Sequence, residues 1–208
     1  MKIILIECAE IDVRSDLRCD SEGFALACVQ ERNADIVPIS VTRHDASGYV
    51  IYTGTSRAAR ETAEALFSSD RPPVCTPLLD DVPIRPFKET RRRYPQWLSR
   101  RTGGFQWRMG SKRQPEGRIA VKRRAGELID LIERDSRDCV LIARGLFLKT
   151  LRDALYRRGY CIQGGGLRIK PLQVFIDIER KPFEQILGEL LRLEARDAPL
   201  TELLKLEF

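Results

Sequence analysis

The chain has 208 residues, of which 43% are hydrophobic and 32% are charged, and its formal net charge is +6. This profile is that of an ordinary globular protein and excludes a disordered, fibrous or low-complexity chain. The longest apolar runs fall short of the roughly 18 residues that span a bilayer, and Glu7 and Glu10 interrupt the first run too early for a signal peptide. We therefore expect a cytoplasmic protein with no membrane partner.

The cysteines do not form a metal-binding or disulfide pattern. The six cysteines lie far apart without a Cys-x-x-Cys pair, and the chain has a single histidine. Structural zinc sites need four closely spaced Cys or His ligands, and disulfide frameworks belong to small secreted domains that are rich in cysteine. We expect free thiols, no bound metal and no cofactor.

The positive charge is concentrated in one part of the chain. Residues 85–124, which we call the basic segment, contain fourteen Lys or Arg and two Glu, a net charge of +12. The rest of the chain therefore carries −6. The basic segment also contains both tryptophans, Trp97 and Trp107. This mixture of cations and aromatic rings is typical of sites for anionic ligands.

Strands and helices alternate from the start of the chain. A β-branched run predicts a strand at residues 2–6, and a second strand is predicted at 50–53. Gly54 supplies a turn after the second strand, and Ser56 is the expected N-cap of a helix that ends near residue 67.

The middle of the chain has a different pattern from the part that follows. Many prolines and no sustained period predict loops with short helical pieces over residues 71–118. Hydrophobic periodicity then returns and predicts a helix at 122–134, followed by a buried strand at 139–143. A helix at 146–158, ended by Gly159, is expected next. The last predicted elements are a strand at 172–178 and an amphipathic helix that includes Phe183.

This alternation predicts one α/β domain over residues 1–208, with three α/β/α layers, a mostly parallel sheet and helices on both faces. A basic, loop-rich excursion is expected at about 71–121. Parallel sheets of this kind bind ligands beyond the carboxyl ends of their strands. Three segments are therefore expected to meet in the functional site, at residues 7–10, 54–60 and 143–146.

These segments resemble the histidine phosphatase superfamily, the phosphoglycerate mutase-like proteins. Residues 1–10 are similar to the family's first strand, which runs into Arg-His-Gly-Glu. Residues 52–66 are similar to the family segment Tyr-Thr-Ser-Pro-Leu-x-Arg-Ala-x-x-Thr-Ala, and residues 139–147 are similar to the strand that ends in Ser-His-Gly. The resemblance covers about residues 1–160 and implies a phosphoglycerate mutase-like fold.

The residues at the family's catalytic positions are replaced in this chain. Active members use a nucleophilic histidine, a second histidine and two arginines to hold and transfer a phosphoryl group. Cys8 stands at the position of the nucleophile, and Glu7 stands at the position of the preceding arginine. Ala58 matches the helix arginine, Arg144 matches the second histidine, and Asp81 falls near the acidic proton donor. Glu7 therefore brings a carboxylate to the centre of the expected pocket. A carboxylate about 4 Å from a phosphate opposes the binding of that phosphate by roughly 1 to 4 kcal/mol.

The resemblance therefore implies an inactive family member, a pseudo-phosphatase that binds a small anionic or phosphorylated ligand or a partner. Arg144 precedes a helix start, where the amides near Leu146 and Phe147 favour an anion. Pairing of Arg144 with Glu7 or Glu10 is the alternative interpretation of this residue. The expected ligand-binding residues, three inside the pocket and three at its rim, are Arg57, Arg60, Arg144, Arg91, Arg92 and Arg93.

Two other functions are compatible with the sequence. The first is a phosphomonoester phosphatase with Cys8 as nucleophile and Asp81 as proton donor. The spacing of Cys8 and Arg14 also resembles the phosphate loop of low-molecular-weight tyrosine phosphatases, although this loop lacks the glycines that let amides converge on an anion. The second is a nucleic-acid-binding module built on the basic segment.

Two further features have structural interpretations. His44 lies in a predicted loop and is interpreted as an exposed histidine outside the site. The leucine-rich carboxyl-terminal residues 203–208 offer apolar surface for a homodimer or for packing on their own core.

Overall fold

The computed structural model describes residues 1–13, 17–39, 41–162, 167–169 and 172–180. The helices are α1 (Ser21–Asn33), α2 (Arg57–Leu66), α3 (Gln96–Arg108), α4 (Arg118–Asp135) and α5 (Gly145–Arg157), with a 3-10 helix at Pro77–Leu79. The strands are β1 (Lys2–Glu7), β2 (Arg18–Cys19), β3 (His44–Asp45), β4 (Val50–Thr53), β5 (Phe67–Ser68), β6 (Val74–Cys75), β7 (Tyr94–Pro95), β8 (Cys139–Ala143), β9 (Tyr160–Ile162), β10 (Leu167–Ile169) and β11 (Leu172–Arg180).

The central sheet of the described chain has the strand order β10-β11-β1-β8-β4-β6, and β9 also pairs with β11. Strands β1, β8, β4 and β6 are parallel to one another, whereas β11 runs antiparallel to β1. Strand β10 ends two residues before β11 begins, and so short a connection permits only antiparallel pairing. The predicted α/β fold with a mostly parallel sheet is confirmed, and its antiparallel end is an addition to the prediction.

Helices cover both faces of the parallel strands. Alternate side chains of a strand point to opposite faces of its sheet. On one face, Leu5 and Leu141 pack in a core with residues of α4 and α5. On the other face, Ile6 and Ile142 pack with Ala59 of α2. The predicted three layers are therefore present, and burial on both faces explains why β1 and β8 have continuous apolar sequences.

The predicted strands at 2–6, 50–53 and 139–143 and the helices on either side of β8 are confirmed within a few residues. Ser56 is the N-cap of α2, where its hydroxyl accepts a hydrogen bond from the Ala59 amide at 3.3 Å. Gly159 follows the end of α5 with a φ of 83°, as a helix stop requires. None of the described helices is long and apolar enough to cross a membrane.

The prediction of short helical pieces in the basic segment is wrong for residues 96–108, which form the 13-residue helix α3. Tertiary contacts stabilise α3 despite its two adjacent glycines. Trp107 is buried, and its indole N–H donates to the Glu116 carbonyl at 3.0 Å. Gly103 is also buried and lies against the backbone of Arg85. The predicted last helix with Phe183, and the leucine-rich residues 203–208, lie outside the described residues.

Candidate functional site

A cleft of about 1170 Å³ opens at the carboxyl ends of β1, β4 and β8. Its wall includes Glu7 at the end of β1 and Cys8 directly after it, Gly54 and Ser56 after β4, and Arg144 after β8. The segments at 7–10, 54–60 and 143–146 were expected to meet, and each contributes residues to this one cavity. They meet because parallel strands present their carboxyl ends at the same edge of a sheet. Residues of α1 and α3 complete the wall.

Cys8, which the sequence resemblance matched to a nucleophile, is a buried thiol with only 5% of its surface exposed. Its amide donates to the Ala143 carbonyl at 2.9 Å and so continues the pairing of β1 with β8. The pKa of the Cys8 thiol is raised to about 12, chiefly by burial, with smaller increases from the Asp81 and Glu7 carboxylates and an opposing effect of Arg144. Because the thiolate is the strong nucleophile, this increase in pKa disfavours the reactive form of Cys8 at neutral pH.

Asp81 places its carboxylate at the amino terminus of α5. The carboxylate accepts hydrogen bonds from the Val82 amide at 2.8 Å and from the Phe147 amide at 3.4 Å. Gly145 makes this approach possible, because a Cβ at this position would lie 2.6 Å from an Asp81 carboxylate oxygen, and its φ of 58° also favours glycine. The helix terminus that the sequence suggested for a phosphate is therefore occupied by a carboxyl group of the protein itself.

The surroundings of Asp81 disfavour its charged form. Asp81 is exposed to the cleft, and desolvation by the protein atoms around its carboxyl group raises the pKa of that group. The amides of Val82 and Phe147 and the charge of Arg144 oppose the increase without cancelling it. A carboxyl group with this property can hold a proton in the site more readily than an ordinary aspartic acid.

Arg124 of α4 holds the segment that carries Asp81. Its guanidinium donates to the carbonyl of Asp80 at 2.5 Å and lies 4.3 Å from the centre of the Phe147 ring. It also forms a two-fold ion pair with Glu116, at 2.8 and 3.0 Å. One half-buried guanidinium at the cleft wall thus joins the 3-10 helix, α5 and Glu116, and it positions the segment that carries Asp81.

Charged residues of both signs line the cleft. The lining arginines are Arg32, Arg100, Arg101, Arg108, Arg124 and Arg144, and the lining carboxylates are Glu7, Glu10, Glu31, Asp80, Asp81 and Glu116. Three ion pairs join members of the two groups, Arg32 with Asp80 at 2.9 Å, Arg100 with Glu31 at 2.6 Å and Arg124 with Glu116 at 2.8 Å. Within the described chain, this leaves three lining arginines outside ion pairs: Arg101, Arg108 and Arg144.

The structure separates the six arginines that the sequence suggested for ligand binding. Arg144 lies in the cleft wall, where it makes no ion pair with a described carboxylate. Arg57 and Arg60 lie outside the cleft wall, which corrects their expected position inside the pocket. Arg57 instead pairs with Asp35 and, at 2.6 Å, with Glu61, and these partners draw its guanidinium to the exposed side of α2.

Other expected positions lie outside the cleft as well. Arg60 is exposed on α2, and Ala58 is buried in the same helix. Arg91, Arg92 and Arg93 are exposed but do not line the cleft, so their role in binding stays a prediction. His44 is exposed in the short strand β3 rather than in a loop, away from the cleft. Arg14 lies outside the described residues.

Helix α3 contributes side chains to the site that were not expected there from the sequence. Arg101, Phe105 and Arg108 line the cleft and are spaced four and three residues apart, so they share one helix face. This spacing was a detectable signal, but the glycines at 103 and 104 and the surrounding prolines argued against a helix. The described residues contain no group of three or more His, Cys, Asp or Glu that is arranged to hold a metal ion.

The chain has a distant structural similarity to a solved protein structure. No protein-family model matches the chain, and no curated protein matches it significantly. Among solved structures, a mutant phosphoserine phosphatase from Entamoeba histolytica in complex with phosphoserine is similar, with 15% sequence identity and a TM-score of 0.49. The similarity covers 84% of this chain and 90% of that chain.

Proposed function

We propose that this protein binds a small phosphorylated or otherwise anionic ligand in the cleft and does not transfer its phosphoryl group. The observation that carries the proposal is the contrast between two parts of the cleft. Arg101, Arg108 and Arg144 line it outside ion pairs, whereas Cys8, at the position of a phosphohistidine nucleophile, is a neutral buried thiol. The described wall of the cleft therefore has cationic groups for binding, and burial disfavours the nucleophilic thiolate of Cys8.

Guanidinium groups suit this function because they present several N–H donors in a plane that matches phosphate and carboxylate oxygens. Arg144 lies beside the strand ends, and Arg101 and Arg108 lie on the helix that borders the cleft. The carboxylates of Glu7 and Asp81 repel an anion, so a ligand is expected to bind nearer the α3 side. Protonation of Asp81 removes one of these repulsions.

The alternative of a phosphatase that uses Cys8 is less well supported. Phosphoryl transfer from this residue needs a thiolate aimed at phosphorus and cations around the equatorial oxygens. Burial of Cys8 opposes the thiolate, and Glu7 places a negative charge where the resembling family places an arginine. Asp81 has one property that this alternative needs, because its raised pKa favours a carboxyl group that carries a proton to donate.

Calorimetric titration with inorganic phosphate and pyrophosphate tests the proposal. Loss of one charge-assisted contact in Arg144→Ala is expected to weaken binding about tenfold to a hundredfold. Arg71→Ala is the matched control, because Arg71 is exposed and does not line the cleft. Equal binding by wild type and Arg144→Ala, or no binding to the wild type at all, overturns the proposal.

Hydrolysis of an aryl phosphate separates binding from catalysis. Wild type and Cys8→Ala are expected to show equally low turnover from acidic to neutral pH. Turnover by the wild type that disappears in Cys8→Ala establishes the phosphatase alternative instead.

A further inference from the structure

Aromatic and cationic side chains alternate along an exposed side of α3. We call Trp97, Arg101, Phe105 and Arg108 the α3 stripe, since they follow one another at intervals of four, four and three residues on one helix face. Trp97 is 51% exposed and Phe105 is 62% exposed. Large rings this accessible are not needed for the core, which takes Trp107 from the opposite side of the same helix.

The positive charge of the basic segment, which contains the α3 stripe, is mostly uncompensated. The two acidic residues of the basic segment are both engaged, Glu89 with Arg113 at 3.6 Å and Glu116 with Arg124 at 2.8 Å. Arg100 and Arg123 pair with acidic residues outside the segment. The other ten of its fourteen cations make no ion pair with a described carboxylate. Arg91, Arg92 and Arg93 are among these ten, directly before β7, which precedes α3.

We propose that the α3 stripe binds single-stranded nucleic acid. In this arrangement Trp97 and Phe105 stack on unpaired bases, and Arg101, Arg108 and the run at 91–93 contact the phosphates. The helical rise of about 1.5 Å per residue places the two rings about 12 Å apart along the axis. This distance matches three to four stacked nucleotides at about 3.4 Å each.

The exposed rings favour a single strand over two other anionic partners. A duplex hides the faces of its bases, so it can use the arginines but not the rings. An inorganic polyphosphate has no aromatic group to stack on Trp97 or Phe105. The combination of unpaired guanidinium groups with exposed rings at helical spacing therefore selects a polyanion that carries accessible bases. This site extends beyond the cleft, because Trp97 and residues 91–93 do not line it.

Fluorescence anisotropy with a labelled single-stranded oligothymidylate of about 12 nucleotides tests the proposal. Trp97→Ala and Phe105→Ala are each expected to weaken binding by about 5- to 150-fold, the loss of one stacked base. Tyr156→Ala is the matched control, because Tyr156 is 61% exposed on α5, and it is expected to bind like the wild type. Circular dichroism of each variant checks that α3 remains folded.

Two further measurements separate stacking from charge attraction. Binding of the strand should quench the fluorescence of the exposed Trp97, and Trp97→Phe should remove this quenching because Trp107 is buried. Duplex of the same sequence and inorganic polyphosphate should compete at least tenfold more weakly than the single strand. Equal competition by polyphosphate, or unchanged affinity in both aromatic variants, overturns the proposal. Phosphate binding in the cleft is measured without the oligonucleotide, so the two proposals can fail separately.

Discussion

Alkylation of Cys8 directly tests the view that this protein is not a thiol-dependent phosphatase. The pKa of the Cys8 thiol is raised from an ordinary value of 9.0 to about 12 by burial. A change of three pKa units lowers the thiolate fraction at neutral pH by about a thousandfold. Because the thiolate is the species that reacts, we expect native Cys8 to react with iodoacetamide about a thousandfold more slowly than the same residue in the unfolded chain.

Mass spectrometry of the labelled peptides provides the measurement for each cysteine separately. The same protein in denaturant is the reference, since there the Cys8 thiol is solvated. Cys75 is exposed in the native protein and reports that the reagent is active. Adding inorganic phosphate should leave the Cys8 rate unchanged. Native Cys8 that reacts nearly as fast as unfolded Cys8 and is protected by phosphate refutes this reasoning and indicates a thiolate in a phosphate site.

Three further predictions concern the structure around the cleft. Gly103→Ala places a Cβ 2.2 Å from the Arg85 carbonyl oxygen, and the loss of about 2 kcal/mol should lower the Tm by about 4–8 °C. In the control Gly104→Ala the new Cβ meets no atom within 4 Å, so higher helix propensity should raise the Tm by about 2–4 °C. Equal Tm changes for the two variants in a thermal scan contradict the close packing of α3. Asp81→Asn should stabilise the protein near neutral pH but not in acid, because a carboxyl group with a raised pKa destabilises the fold as pH rises from about 4 through that pKa. Parallel curves of Tm against pH for the wild type and the variant contradict the raised pKa of Asp81. Arg124→Met should lower the free energy of unfolding by about 2 kcal/mol, because the Asp80 carbonyl and the Glu116 carboxylate lose a shared donor. An unchanged midpoint in chemical denaturation contradicts the view that Arg124 holds these segments together.

The main elements of the fold were predictable because their signals are local. The apolar run at 139–143 and the N-cap Ser56 each reflect the conformation of a few neighbouring residues. The antiparallel direction of β11 was not predictable, since an apolar strand can have the same sequence in either orientation. Helix α3 was missed because packing of Gly103 and Trp107 outweighs the low helix propensity of its glycines.

The position of the candidate site was more predictable than its residues. Strands that alternate with helices place their carboxyl ends at one edge, and this rule located the cleft. Which arginines line the cleft depends on their side-chain partners. The arginine side chain is long and flexible, so its guanidinium can form an ion pair with a carboxylate that lies away from the cleft. Arg57 pairs with Asp35 and Glu61 outside the cleft, and α3 contributes Arg101 and Arg108 in its place.

The sequence by itself determined the alternation of elements, the location of the cleft, the concentration of positive charge and the presence of Cys8 and Arg144 at the strand ends. Only the tertiary structure decided their chemistry. The raised pKa of Cys8 and the position of Asp81 at α5 depend on burial and on contacts between residues that are 66 positions apart. Charge pairing and desolvation act through space, so they are set by the folded arrangement rather than by neighbours in the chain.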